Sequence, residues 1–165
     1  MDNEMFLRAL IAFIALPGMA AIVAPPIIAH FDPWKGGAWP PAIIIMSMGA
    51  FVLLSCVRDF YVMGKGTLAP WDPPKRLVVI GLYRYVRNPM YVGVVMLVFG
   101  WSLFFQSPLL LSYTALLAIT FHIRVVRYEE HKLNALFGEE WKAYKKSVSR
   151  WMPGINPLSR GMGKK

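Results

Sequence analysis

The chain has 165 residues, of which 56% are hydrophobic and 16% charged, with a formal net charge of +9. That balance is too apolar for an ordinary soluble domain of this length and points to one integral membrane domain. The basic excess is not read as a nucleic-acid footprint, because the lysines and arginines gather beside apolar blocks.

The predicted class is all-α, with apolar blocks of about 17 to 24 residues, the length a helix needs to cross a hydrocarbon core of about 30 Å. Four spans are expected, near 6–29, 41–63, 89–106 and 108–126, in a single domain covering 1–165. The first block has neither a basic leader nor a small-residue cleavage site, so it reads as a retained helix. Pro17-Gly18 and Pro25-Pro26 are expected to kink or end it, since proline removes backbone donors. Trp34 and Trp39 bracket a short outer loop and suit an aromatic belt. Span two carries the lone Cys56, which has no disulfide partner and reads as a small core residue. It ends on Arg58 and Asp59 at the interface, where Arg58 can snorkel or meet a ligand head group.

A polar connection over 64–88 follows, with Pro70, Pro73 and Pro74 arguing against a continuous helix. Spans three and four are joined by Gln106-Ser107-Pro108, too short for anything but an antiparallel helical hairpin. Span four has no breaker at its end, so its helix is predicted to run on to about Phe137, with Gly138 as its cap. A second amphipathic stretch over 139–149 ends near Pro153, within a C-terminal segment 127–165. The loop after span one holds only Asp32 and Lys35, whereas both other connections are basic. By the positive-inside rule, both termini and the polar segments lie in the cytoplasm.

Two polar groupings meet at that face. GLYRYVRNPMYVG (81–93) precedes span three, and Arg124 to Glu130 close span four. A helix starting at Pro89 offers unpaired backbone donors and a partial positive charge, which suit a carboxylate, and Arg84 and Arg87 add to that. Glu129 and Glu130 can hold an ammonium, a ribose diol or a sulfonium. Tyr83, Tyr85, Tyr91 and Trp141 can flank a cation or stack on a purine. An amino acid head, a nucleoside and a cationic sulfur together describe S-adenosylmethionine. The same residues also suit anchoring to anionic lipid, with the glutamates paired to neighbouring cations on one helix face. His122 lies within span four near its cytoplasmic end and is a substrate-side candidate or an interhelical hydrogen-bonding group. His30 falls at the outer interface and His131 on a solvated face.

GLYRYVRNPMYVG, followed after a hairpin by RYEEHKLNALFGEEWKAYKKSVSRWMP, resembles the C-terminal signature of the isoprenylcysteine carboxyl methyltransferase and phospholipid methyltransferase families, over roughly 81–153. The resemblance implies an integral membrane methyltransferase that uses S-adenosylmethionine in a cytoplasmic pocket and takes a lipophilic or amphipathic acceptor from the bilayer. It places cofactor binding on Tyr83, Arg87, Asn88, Pro89, Tyr91, Gly93, Glu129 and Glu130. Leu133, Phe137, Gly138 and Tyr144 are packing positions of the same signature. Isoprenylcysteine enzymes typically read Arg-His-Pro where this chain has Arg87-Asn88-Pro89, which separates the cofactor expectation from that substrate. Catalytic candidates are Arg124 and Arg127, which with Arg58 can orient an anionic acceptor, and Glu130 for an amine. Methyl transfer from a sulfonium is an in-line displacement governed by positioning, and it asks for no metal. The rival readings are a sterol-type reductase with a nicotinamide cofactor and a small four-helix transporter or scaffold.

Overall fold

The computed structural model describes residues 14–59 and 77–154. Within them the chain is helical. A π-helical stretch, Ile14–Val23, runs into α1 (Ala24–Phe31), and α2 follows at Ala42–Asp59. A 3₁₀ turn, Gly81–Arg84, leads to α3 (Pro89–Phe104) and α4 (Pro108–Arg124). A second π-helical turn, Val125–Glu129, then opens α5 (Glu130–Ser147). The only strand-like pairing among the described residues is a bridge between Val86 and Ser149. The distal end of span two and the prolines of the 64–88 connection lie outside the described residues, as does the start of span one.

Helices α2, α3 and α4 are apolar nearly all round, whereas α5 is rich in charged residues. On α2, Ile44, Phe51 and Leu54 face outward and exposed, as do Leu116 and Ile119 on α4. A helix with no polar face belongs in a core or in lipid. Two stretches, Ala42–Asp59 and an apolar part of Pro108–Ser147, are long and apolar enough to cross a membrane, while Pro89–Phe104 and Gly18–Phe31 are apolar but shorter.

Of the two effects expected of Pro25 and Pro26, a kink or an end, the helix shows no end: the π-helical stretch passes directly into α1 there, with a change of register at the prolines. The consequence falls on the preceding turn. The carbonyl of Ala21 would meet Pro25 in an α register and Pro26 in a π register, and neither has an N–H. The indole of Trp101 donates to it at 3.0 Å, and the Tyr113 hydroxyl donates to the Ala20 carbonyl at 3.2 Å. Two side chains of the hairpin thereby dock the first helix.

α2 and α3 touch backbone to backbone. A Cβ on Gly49 would lie 2.7 Å from the Leu97 nitrogen and 2.9 Å from the Gly93 carbonyl, and one on Gly93 would lie 2.9 Å from the Leu53 nitrogen. Between helices whose outer faces are as apolar as their inner ones, close approach through small residues is the main source of packing attraction. Gly93 is thus part of this crossing. The core around it is Ala21, Leu53, Val94, Leu97 and Val98.

At the opposite end, Gln106 takes a positive φ of 47° to close the α3–α4 hairpin. Ser107 caps α4, its hydroxyl oxygen accepting from the Leu110 amide at 3.1 Å and donating to buried Asp32. Asp32 also accepts from the amides of Leu109, at 3.2 Å, and Trp34, at 2.9 Å. The loop after α1 is therefore fixed to the hairpin tip by one satisfied carboxylate.

Gly93→Ala is expected to lower stability by about 1 to 3 kcal/mol, the usual cost of overpacking, whereas Gly37→Ala, which meets nothing within 4 Å, leaves it unchanged; thermal unfolding in detergent compares the two. Trp101→Phe keeps the ring and strands the Ala21 carbonyl, with an expected loss of about 1 to 3 kcal/mol in the same assay.

Candidate functional site

The hairpin returns the end of α4 to the start of α3, and the site forms where they meet. Helix α3 starts at Pro89 with Asn88 as its N-cap residue, but the Asn88 side chain does not cap it. Its amide instead donates to the carbonyl of Arg150 at 3.2 Å. The first-turn amides of Met90 and Tyr91 are thus not capped by Asn88 and have no side-chain acceptor among the described residues, in the position where helix ends bind anions.

Glu130 begins α5 and is 6% exposed. Arg87 Nη1 donates to its Oε1 at 3.0 Å, Arg150 Nε to the same oxygen at 2.6 Å, and Lys145 Nζ sits 2.8 Å from Oε2. Burial pushes the Glu130 acid upward, but hydrogen bonds from Arg150 and Lys145 and the Arg87 charge outweigh it and hold the group down to about 2. Arg87 is itself buried, with its guanidinium 5.6 Å from the centre of the Trp141 ring. Its Nε has no partner among the described residues.

Glu129 points elsewhere. The Tyr91 hydroxyl and Arg124 Nε, the latter at 2.7 Å, both donate to its Oε1. Arg124 and Glu129 are five residues apart, a separation that an α-helix does not align. The π-helical turn Val125–Glu129 supplies the wider register. Tyr91 also packs on Phe121, ring centres 4.4 Å apart. Arg124 is 38% exposed and Glu129 25%. Arg127 and Arg58 are exposed.

The C-terminal strap, residues 148–154, closes the arrangement. The Arg87 amide donates to the Ser149 carbonyl at 2.9 Å and the Gly154 amide to the Tyr85 carbonyl at 3.0 Å. Trp151 Nε1 donates to His122 Nδ1 on α4 at 3.1 Å. The strap follows a break at Gly138, whose φ of 48° interrupts α5, at the residue expected to cap a helix. Beneath it, Trp141, Tyr144 and Val148 form a small core with Leu133 and Phe137 packed against it.

Of the residues proposed from sequence, Arg87, Asn88, Pro89, Tyr91, Arg124, Glu129 and Glu130 converge here. Tyr83 instead packs with Cys56 and Val78, its carbonyl accepting from the Tyr144 hydroxyl at 2.7 Å. Trp141 lies under Arg87, and Gly93 lies in the α2–α3 crossing. The partners of Glu130 come from 15, 20 and 43 positions away, whereas Glu129 pairs with Arg124 five positions before it on the same helix. Lys145, Ser149, Arg150 and Trp151 escaped the sequence argument as site residues. The final SVSRWMP of the quoted signature was the available signal for three of them.

The phospholipid methyltransferase family model matches residues 41–140, more than half of the chain. Protein-S-isoprenylcysteine O-methyltransferase A of Arabidopsis thaliana is 31% identical over 80 residues, covering 48% of this chain and 41% of that protein. The protein-S-isoprenylcysteine O-methyltransferase of Dictyostelium discoideum is 34% identical over 84 residues, covering 48% and 34%. A probable protein-S-isoprenylcysteine O-methyltransferase of Oryza sativa subsp. indica is 28% identical over 85 residues, covering 52% and 44%. The matched stretches thus span less than half of these relatives. No solved structure matches the chain. The chain belongs to the phospholipid methyltransferase family, with isoprenylcysteine O-methyltransferases among its relatives.

Glu130→Ala leaves Arg87 buried and unbalanced, so a loss of about 3 kcal/mol or more in stability is expected at neutral pH. The acid is depressed in the folded chain, so the stability it supplies is present above the unfolded value of about 4.3 and is lost as pH falls toward about 2. The difference in unfolding free energy between the natural chain and Glu130→Gln should therefore be constant near neutrality and shrink across that acid window.

Proposed function

We propose that this chain is an integral membrane methyltransferase that transfers a methyl group from S-adenosylmethionine to a lipophilic or amphipathic acceptor. In this reading it is a single domain of four spans, with both termini and the site in the cytoplasm. The observation that carries it is the convergence of Arg87-Asn88-Pro89, Tyr91 and Glu129-Glu130, joined by Arg87–Glu130 and Tyr91–Glu129 contacts across 43 and 38 residues, in a chain of a methyltransferase family.

The residues fit the cofactor. The uncapped amides of α3 and the unpartnered Arg87 Nε offer donors to its carboxylate. Glu129, partly exposed, offers a carboxylate to its ammonium or ribose hydroxyls. When bound, the sulfonium supplies an activated methyl group for in-line displacement. The task of the protein is then to align the acceptor and exclude water. Arg124, which contacts Glu129, is the cation proposed for an anionic acceptor group, with exposed Arg127 and Arg58 as the further candidates. Glu130, held to about 2 and surrounded by cations, is a poor base for stripping a proton from an ammonium. We therefore read it as a strut for Arg87 and favour an acceptor that is already anionic, such as a carboxylate. Asn88 in place of the histidine typical of isoprenylcysteine enzymes leaves cofactor binding in place and does not commit the acceptor to a prenylcysteine.

In calorimetric titration of the detergent-solubilised chain, S-adenosylmethionine is expected to bind; Glu129→Ala should weaken binding about tenfold or more, the effect of one charge-assisted hydrogen bond, and Asn88→Ala should weaken it by releasing the Arg150 carbonyl beside the start of α3. Labelled methyl donor incubated with lipid and thiol panels should mark a carboxylate-bearing amphiphile. Binding of a nicotinamide dinucleotide with no heat from S-adenosylmethionine would overturn the reading in favour of a reductase.

A further inference from the structure

Two donors approach Glu129, and both reach the same oxygen. The Tyr91 hydroxyl and Arg124 Nε, the latter at 2.7 Å, donate to Oε1, while the side chain stays 25% exposed. Each donor is itself held in place. The Tyr91 ring packs on Phe121 with centres 4.4 Å apart, and the π-helical turn brings Arg124 level with a residue five positions further on. A carboxylate held through one oxygen keeps the other for a ligand. A pair of neighbouring ribose hydroxyls is met best by both oxygens of a carboxylate, one to each hydroxyl. An ammonium asks less of geometry, because any one of its N–H donors can reach a single oxygen and its charge adds to the attraction.

The charges favour the same division. An anionic acceptor on Arg124, Arg124 on Glu129 and an ammonium on Glu129 form a row of alternating sign that sums to zero. A neutral diol in place of the ammonium leaves that row with one negative charge uncompensated in a partly buried site.

We propose that Tyr91 is a positioning residue: together with Arg124 it holds Glu129 by Oε1 and reserves Oε2 for the ammonium of the cofactor's amino acid head, so that the ribose is held elsewhere. This rests on the methyltransferase reading above, which leaves Glu129 open to either group. It also departs from the expectation that Tyr91 touches the cofactor itself. The ring is packed on Phe121 and the hydroxyl is committed to Glu129, so Tyr91 serves the cofactor through that carboxylate.

The test is a set of binding titrations on the full chain in detergent. The ligands are S-adenosylmethionine, its decarboxylated analogue, which keeps the amine, and methylthioadenosine, which keeps the ribose and has no amine. Glu129→Gln is expected to weaken the first two by about tenfold or more, the effect of one charge-assisted hydrogen bond, and to leave the third unchanged. Tyr91→Phe keeps the ring on Phe121 and removes only the hydroxyl. It should weaken the same two ligands by about three- to tenfold, the span of one ordinary hydrogen bond, again without affecting the third. In the double variant the loss should equal that of Glu129→Gln alone, because Tyr91 acts through Glu129. A merely structural loosening would weaken all three ligands together, and that result overturns the proposal. Weaker methylthioadenosine binding in Glu129→Gln assigns the carboxylate to the ribose and overturns it too, as do unchanged affinities in Tyr91→Phe or additive losses in the double variant. Each of these leaves the methyltransferase reading standing, whereas failure of S-adenosylmethionine to bind the natural chain sinks both.

Discussion

A single buried carboxylate organises this end of the molecule. Glu130 has been withdrawn from water, a step that is unfavourable for any ion unless partners replace the lost hydration. It finds them in Arg87, Lys145 and Arg150. One lies before α3, one near the end of α5 and one in the strap, so satisfying the charge requires three separated segments to assemble at once. The same arrangement confines Arg87, whose guanidinium is bracketed between Glu130 and the Trp141 ring. The charge excess that looked diffuse in the sequence is therefore partly structural, with cations committed to an acidic centre and unavailable for general attraction to anionic surfaces.

The rest of the fold presents that centre. Backbone contact between α2 and α3 at Gly49 and Gly93 gives the start of α3 a rigid base. The hairpin at Gln106-Ser107 returns α4 antiparallel, and Asp32 fixes the hairpin tip to the end of α1. What reaches the site from α4 is then set by the helical register at its last turn. There the π turn directs Glu129 toward Tyr91 and Arg124 while Glu130 turns to Arg87 and Arg150. Two adjacent glutamates, indistinguishable in the sequence, acquire different environments: one buried and fully paired, the other partly exposed.

Much of this was legible because it depended on local rules. The α3–α4 hairpin followed from a three-residue connection, the extension of α4 from the absence of a breaker, and the break at Gly138 from a glycine at the end of an apolar period. The convergence of the two motifs followed from the hairpin. The functions of individual residues within the cluster were less legible, since they depend on partners far along the chain. Gly93 stands in the middle of a motif but its missing Cβ serves the packing against α2. Tyr83, within the same string, turns into the core beside Cys56. Arg150 bonds through its side chain to one motif and through its carbonyl to the other, and no spacing rule links position 150 to 88 and 130. Pro25-Pro26 could be read only as a kink or an end; the helix changes register there without ending, and the Trp101 indole that supplies the missing donor to the Ala21 carbonyl lies 80 positions away, beyond any local rule.

The π turn at Val125–Glu129 has a consequence for how such a chain can change over time. A π turn is equivalent to one residue added to a regular helix, and each residue of an α-helix advances the side-chain direction by about 100°. In an ordinary helix the loss of one residue would swing everything beyond it by that angle. Here deletion of one residue between 125 and 129 would turn the π turn into an α turn and leave Glu130, Lys145 and the strap facing Arg87, because the wider turn has already absorbed the extra residue. What the deletion would take away is the five-residue reach from Arg124 to Glu129, so this stretch is a place where the chain can lose a residue and keep the Glu130 centre while giving up the Glu129 one.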